Sequence, residues 1–268
     1  MTNIDEMSIN AIRVLSADAI QKANSGHPGL PLGTAPTAYE LWTNHMNYNP
    51  ADPEWENRDR FVLSGGHGSM LLYSLFHLLG IGNLSLDDVK NFRQMGSKTP
   101  GHPEYGHTVG VEATTGPLGQ GMAMAVGMAM AGKMDNADYR VYTMVGDGES
   151  EEGQVWEASM FAGFRKLDNL VVIVDNNNLQ IDGAIDEVCS PFDKKFEAFN
   201  FHVIKINGHD FDEIRSALKE ARETKGMPTA IIMNTVKGKG VSFMENQVSW
   251  HGSAPNEEQY NIAMEELE

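Results

Sequence analysis

Asp147, inside Gly146-Asp147-Gly148, closes the apolar run Val141-Tyr142-Thr143-Met144-Val145; thirty residues later Asn177 closes a second run, Leu170-Val171-Val172-Ile173-Val174. Two such runs, joined by a segment long enough for a helix, predict parallel strands whose carboxyl ends lie side by side. A carboxylate and an amide oxygen then meet at one sheet edge, where open parallel sheets bind ligands. Hard oxygen donors from loops suit Mg²⁺ or Ca²⁺ and leave room for water or phosphate oxygens. Gly148 lets the backbone approach an anion closely. The helix expected over 152–166 turns its positive N-terminal end toward the same place. The chemistry these features predict is a metal-bridged diphosphate. Gly-Asp-Gly also serves as an ordinary turn after a strand; its position between two buried-strand patterns favours the metal.

Histidine is the other chemical signal, since imidazole exchanges protons near neutral pH. Of nine histidines, His27, His67, His102, His107 and His251 stand in Gly- or Pro-flanked segments. His107 is left without a role. His45, His77, His202 and His209 read as structural or surface residues. HxxxH spacing does not occur, which disfavours a Zn²⁺ site.

The bulk numbers narrow the class. The chain has 268 residues, 41% hydrophobic and 21% charged, with a formal net charge of −17. No basic stripe is visible, which argues against nucleic acid and membrane surfaces as partners. An acidic chain that binds a diphosphate must neutralise it locally, by a divalent cation and helix N-termini rather than a lysine cluster. The single cysteine, Cys189, cannot form an internal disulfide and reads as structural, in keeping with a cytoplasmic location. The N-terminus lacks a secretory pattern, and the weakly polar stretch 119–132 is too short and Gly-rich to span a bilayer.

Periodicity supplies the framework for these residues. Helices are expected near 9–26, over 30–47, 69–79, 83–95, 119–133 and 152–166, and over 211–223, where Asp210 and Glu213 stand at capping-box spacing. Strands are expected at 61–64, 141–145, 170–174, 202–206 and 229–233. The helix over 119–133 is rich in Ala, Gly and Met, which suits either close packing in the core or a subunit interface. The stretch 97–116 is long, aperiodic and rich in Gly, Pro and His, as functional loops are. Alternating helices and apolar strands predict an α/β fold of three layers, a mostly parallel sheet with helices on both faces. One domain over 1–268 is expected, with the acidic segment 256–268 as a solvated helix or tail.

Taken together, several segments resemble the transketolase family. They are Ser25-Gly26-His27-Pro28-Gly29, Asp59-Arg60-Phe61-Val62-Leu63-Ser64-Gly65-Gly66-His67-Gly68-Ser69, Thr99-Pro100-Gly101-His102-Pro103-Glu104 and Thr115-Gly116-Pro117-Leu118-Gly119-Gln120-Gly121. Gly146-Asp147-Gly148 through Glu152-Gly153, Asn177 through Asp182-Gly183, and His251-Gly252 complete the series in the family's order, from about residue 7 to residue 255. The resemblance implies a thiamine-diphosphate-binding domain of the type that holds the diphosphate, with Mg²⁺ or Ca²⁺. It implies Asp147, Asn177 and the backbone carbonyl of Leu179 as metal ligands, and His67, Gly148 and His251 near the diphosphate. Gly116 and Leu118 would lie along the pyrimidine, and Ile181 against the thiazolium. His27, His102 and His251 would line the substrate channel as catalytic residues. Glu152 and Glu157 are either helix-surface charges or, as the resemblance implies, members of a carboxylate and water network linking active sites at a dimer interface, with Glu152 also among the cofactor-binding residues.

The implied activity is transfer of a two-carbon ketol unit between sugar phosphates. Family members continue through further domains that supply the glutamate at pyrimidine N1′, the aromatic shelf and most sugar-phosphate contacts. None of these has a match here. The resemblance therefore implies the N-terminal subunit of a split transketolase, completed by a separate C-terminal subunit in an α2β2 heterotetramer, or else a homodimer of this chain. Glu149-Ser150-Glu151 departs from the family pattern and reads as solvent-facing charge. Two other readings stand beside this one: the same cofactor in a deoxyxylulose-phosphate-synthase-like condensation, and a non-catalytic homologue that keeps the fold.

Overall fold

The computed structural model describes residues 1–185 and 191–268. Cys189, with the structural role expected of it, lies outside the described residues. In chain order the helices are α1 Asn3–Ala23, α2 Gly29–Glu40, α3 Ser69–Leu79, α4 Leu86–Lys90, α5 Gln120–Met134, α6 Gly153–Phe164, α7 Phe192–Ala198, α8 Phe211–Glu223 and α9 Glu257–Leu267. The strands are β1 Arg60–Leu63, β2 Val141–Gly146, β3 Leu170–Asn176, β4 Leu179–Gln180, β5 Gly183–Ala184, β6 His202–Asn207 and β7 Thr229–Asn234.

Five strands form one sheet in the order β1-β2-β3-β7-β6, every neighbouring pair parallel. Alternate side chains of each strand face opposite sides. Phe61, Tyr142, Met144, Ile173 and Met233 share one core with α1, α2, α3 and α8; Val62, Val145, Val172, Val174 and Ile232 share the other with α5, α6 and α7. This is the expected covered parallel sheet, buried on both faces and therefore apolar along its central strands. The register pairs Gly146 with Asp175 and Asn176 with Asn234, so β2, β3 and β7 end together at one edge. Between β3 and β7 the order reverses, the place where such sheets open a crevice.

Three local expectations are corrected, and one element is added. The helix expected over 83–95 is only Leu86–Lys90: Ser85 and Asp88 close a capping box, and Arg93 adopts φ 59° and gives its N–H to the Thr99 carbonyl instead of a helical partner. The helix expected over 30–47 contains Pro36, which has no N–H to give, and it passes into a π turn at Leu41–His45. The segment 256–268 is a capped helix, and Ala263 and Leu267 are buried against Leu32, Val241 and Met244 rather than solvated. The small antiparallel pair β4–β5 had no sequence signal. Among the described residues no helix is long and apolar enough to cross a membrane.

Candidate active site

The carboxyl ends of β2, β3 and β7 border a cleft of about 270 Å³. Asp147 follows β2, Asn177 and Leu179 follow β3, and Lys237 follows β7; all four line the cleft. Gly148, Gly116, Leu118, Ile181, His67 and His251 line it as well. Leu118 and Ile181 are large apolar side chains left 41% and 64% exposed, an arrangement that suits an apolar ring laid over them.

The oxygen donors are fixed by their own backbones. Asp147 Oδ1 accepts from the Gly148 N–H at 2.8 Å and Oδ2 from the Asn178 N–H at 2.5 Å. Asn177 Oδ1 accepts from the Leu179 N–H at 3.1 Å, while its amide nitrogen donates to Asp175 Oδ2 at 3.2 Å. Asn178 sits at φ 62°, so the chain turns sharply between the amide ligand and the carbonyl of Leu179. Each oxygen keeps an unused lone pair. The Leu179 carbonyl is met by the Lys237 ammonium at 3.2 Å, so a cation already stands among these donors. Burial, reinforced by Asp175, pushes the Asp147 carboxyl up to about 7. Burial also raises Asp175, whose Oδ1 accepts from the Thr235 hydroxyl. Two buried carboxyls and a carbonyl beside one ammonium form a site short of positive charge, which fits a hard divalent cation. Among the described residues no three His, Cys, Asp or Glu side chains cluster as a metal site; the fit rests on one carboxylate, one amide and one carbonyl.

Beside the cleft four imidazoles gather. His27 lies 5.2 Å from His67, 6.4 Å from His102 and 5.6 Å from His251 between ring centres, and His67 stacks on His251 at 5.4 Å. Residues far apart in sequence are thus brought to one place by the loops after β1, before α2, at 97–116 and after β7. Burial pushes His27 and His251 down to about 4; neighbouring His251 and Arg93 add to the effect on His27, and Lys237 to that on His251. His67 falls well below its ordinary value and His102 falls too, each mainly through burial. Burial thus holds all four rings below the ordinary imidazole value. Gly116, at φ 136°, packs so closely that a Cβ there would stand 3.0 Å from the His102 ring.

Glu152 is not brought into the cleft: it is exposed at the N-terminus of α6, next to Gly119, and Glu157 is exposed on the same helix. Glu149 reverses its expectation. It is buried and accepts from Ser64 Oγ at 2.5 Å, the Gly119 N–H at 2.9 Å and the Gly146 N–H at 3.1 Å. It joins the ends of β1 and β2 to the start of α5, and so ties the Gly116–Gly119 turn to the strand that carries Asp147. His107, left open above, donates to or accepts from nothing in the cleft; its Nε2 meets the Ser97 carbonyl.

Sequence reasoning also missed Lys237 and Arg93. Lys237 follows a recognised strand at the same sheet edge as Asp147 and Asn177, and that placement was its available signal. Arg93 donates to Ser25 Oγ at 3.1 Å and reaches His27 Nδ1 at 3.4 Å, a contact created by the unexpected turn after α4.

Comparison with known proteins supplies the family. The family model described as "Transketolase, thiamine diphosphate binding domain" matches residues 4–267. A transketolase of Geobacillus stearothermophilus is 51% identical over 263 residues, covering 94% of this chain and 39% of that protein. A solved transketolase from Campylobacter jejuni superposes with TM-score 0.95 at 46% identity, covering 100% of this chain and 43% of its own. A Pichia stipitis transketolase solved with sedoheptulose 7-phosphate gives 0.94 at 38% identity, with 99% and 41% covered. The chain thus spans about two-fifths of the length of the relatives it matches. On the sheet, the cleft and these likenesses together, the chain belongs to the transketolase family, and residues 4–267 are its thiamine diphosphate binding domain.

Proposed function

We propose that this chain holds thiamine diphosphate through Mg²⁺ or Ca²⁺ and supplies the diphosphate side of a transketolase site in the cytoplasm. Asp147, Asn177 and the Leu179 carbonyl would hold the cation, which in turn neutralises the diphosphate. Gly148, His67 and Lys237 would meet the phosphate oxygens; Gly116 and Leu118 would border the pyrimidine and Ile181 the thiazolium. The bound cofactor supplies an electron sink for the carbanion formed when a bond beside a ketone breaks. His27, His102 and His251, neutral and grouped beside the cleft, would orient the hydroxyls of a sugar phosphate, the ligand class seen in the Pichia stipitis relative. The remainder of the site would come from the region that relatives carry beyond the matched two-fifths. Met160, Phe161 and Phe164 on α6 are exposed and apolar, as a face between subunits would be; it suits an α2β2 assembly or a dimer of this chain.

The observation that carries this reading is the convergence of the three oxygen donors and Lys237 on one apolar-walled cleft. Calorimetric titration of thiamine diphosphate, with and without Mg²⁺ and in the presence of the region that relatives carry beyond the match, tests it. Binding should require metal and be lost in Asp147→Ala, and ketol transfer should appear only in the assembled protein. Metal-independent binding of unchanged affinity in Asp147→Ala would refute the assignment.

A further inference from the structure

Two of the four clustered imidazoles meet a side-chain cation at the same ring nitrogen. Lys237 Nζ lies 2.7 Å from His251 Nδ1, and Arg93 Nη2 lies 3.4 Å from His27 Nδ1. An ammonium and a guanidinium have protons to give and no lone pair to offer, so in both pairs the ring nitrogen must accept. A neutral imidazole carries a single ring proton, and a lone pair on Nδ1 places that proton on Nε2. We infer that Lys237 and Arg93 are positioning residues that hold His251 and His27 as Nε2–H tautomers, so that both rings present a hydrogen-bond donor rather than a base.

Each cation is itself held in place. Lys237 is anchored on the Leu179 carbonyl. Arg93 is anchored on Ser25 Oγ, and the left-handed turn that carries it is secured by its N–H to the Thr99 carbonyl. His27 Nε2 borders Gly252, where a Cβ would approach to 3.3 Å; the missing side chain leaves that nitrogen room to donate. Both rings titrate near 4, so at pH 7 each is neutral and has one tautomer to choose. The consequence for catalysis rests on the proposed function: an Nε2–H beside a substrate oxygen stabilises developing negative charge there and does not remove a proton.

The tautomers are read directly by long-range ¹H–¹⁵N correlation on the ¹⁵N-histidine-labelled 268-residue chain at pH 7, without metal or cofactor. His251 and His27 should each show a pyrrole-type Nε2 and a pyridine-type Nδ1. Lys237→Met should convert His251 alone to a mixture, and Arg93→Met should do so for His27 alone. Lys237→Arg and Arg93→Lys, which keep a donor, should restore the single form. Nδ1–H on either ring of the unaltered chain overturns the inference for that pair, as does a tautomer that ignores loss of its cation. Because no cofactor is present, failure here is distinct from failure of cofactor binding.

Discussion

Replacing the charge at Asp147 should stabilise the cofactor-free chain at alkaline pH while disabling its metal site. Burial and the neighbouring Asp175 raise this carboxyl from 3.8 to about 7. The folded chain holds the proton up to about pH 7, whereas the unfolded chain releases it near its ordinary value. Between those limits the native state binds more protons. This group's share of stability is therefore intact below about pH 4 and is lost as pH rises through 7. At 1.36 kcal/mol per pKa unit the loss has a ceiling of ~4 kcal/mol. Asp147→Asn removes the titration but keeps one acceptor oxygen where two now serve the Gly148 and Asn178 N–H groups, which costs about 1–2 kcal/mol. The net gain at pH 8.5 is then ~2–3 kcal/mol. Urea unfolding with a chelator present, at pH 5 and pH 8.5, measures it. The unaltered chain should lose stability between the two and the variant should lose ~3 kcal/mol less, since about two of the three units lie above pH 5. With Mg²⁺ and thiamine diphosphate the ranking should reverse, because only the unaltered chain gains from ligand binding. Parallel pH profiles without ligand would show that Asp147 is ionised in the folded chain and would refute the reasoning.

Three further outcomes follow from the packing. Glu149→Ala strands the Ser64 hydroxyl and the Gly119 and Gly146 N–H groups, and should cost ~4 kcal/mol in urea unfolding; a loss below ~1 kcal/mol would mean water replaces the carboxylate. Gly148→Ala would set a Cβ 2.8 Å from Gln180 Cβ and displace the β4–β5 pair beside Ile181. Affinity for thiamine diphosphate by calorimetry should fall about tenfold, ~1.4 kcal/mol, with the fold intact; unchanged affinity would separate that pair from the cofactor. Ala263→Glu forces a carboxylate into the cluster of Leu32, Val241 and Met244 and should cost ~3 kcal/mol; an effect under ~0.5 kcal/mol would return α9 to solvent.

Where the fold was legible, burial and backbone period told the same story. β2 and β3 are continuous apolar runs, α8 keeps its apolar face and its Asp210 cap, and the strand-end rule that placed Asp147 and Asn177 at one edge needed no tertiary information. Legibility failed where a distant partner decides. The helix expected over 83–95 has sound helical periodicity, yet it stops because Thr99 takes the Arg93 N–H and Arg93 can reach Ser25 and His27. Glu149, in a run of acidic residues, has every local mark of the surface; Ser64, 85 residues earlier, and Gly119, 30 residues earlier, bury it instead. These failures share a cause. A charged side chain is placed inside a protein only by its partners, and partners drawn from separate loops leave no period in the sequence. In this chain Glu149 and Lys237 line the cleft and half-buried Arg93 reaches His27 beside it, whereas Glu40, held by Arg215, and Asp59, held by the Asn47 and Arg140 N–H groups, are buried away from it. A buried charge is retained against a standing cost, and its partners decide its meaning: those of Glu149 and Lys237 belong to the cleft, those of Glu40 and Asp59 join elements of the fold.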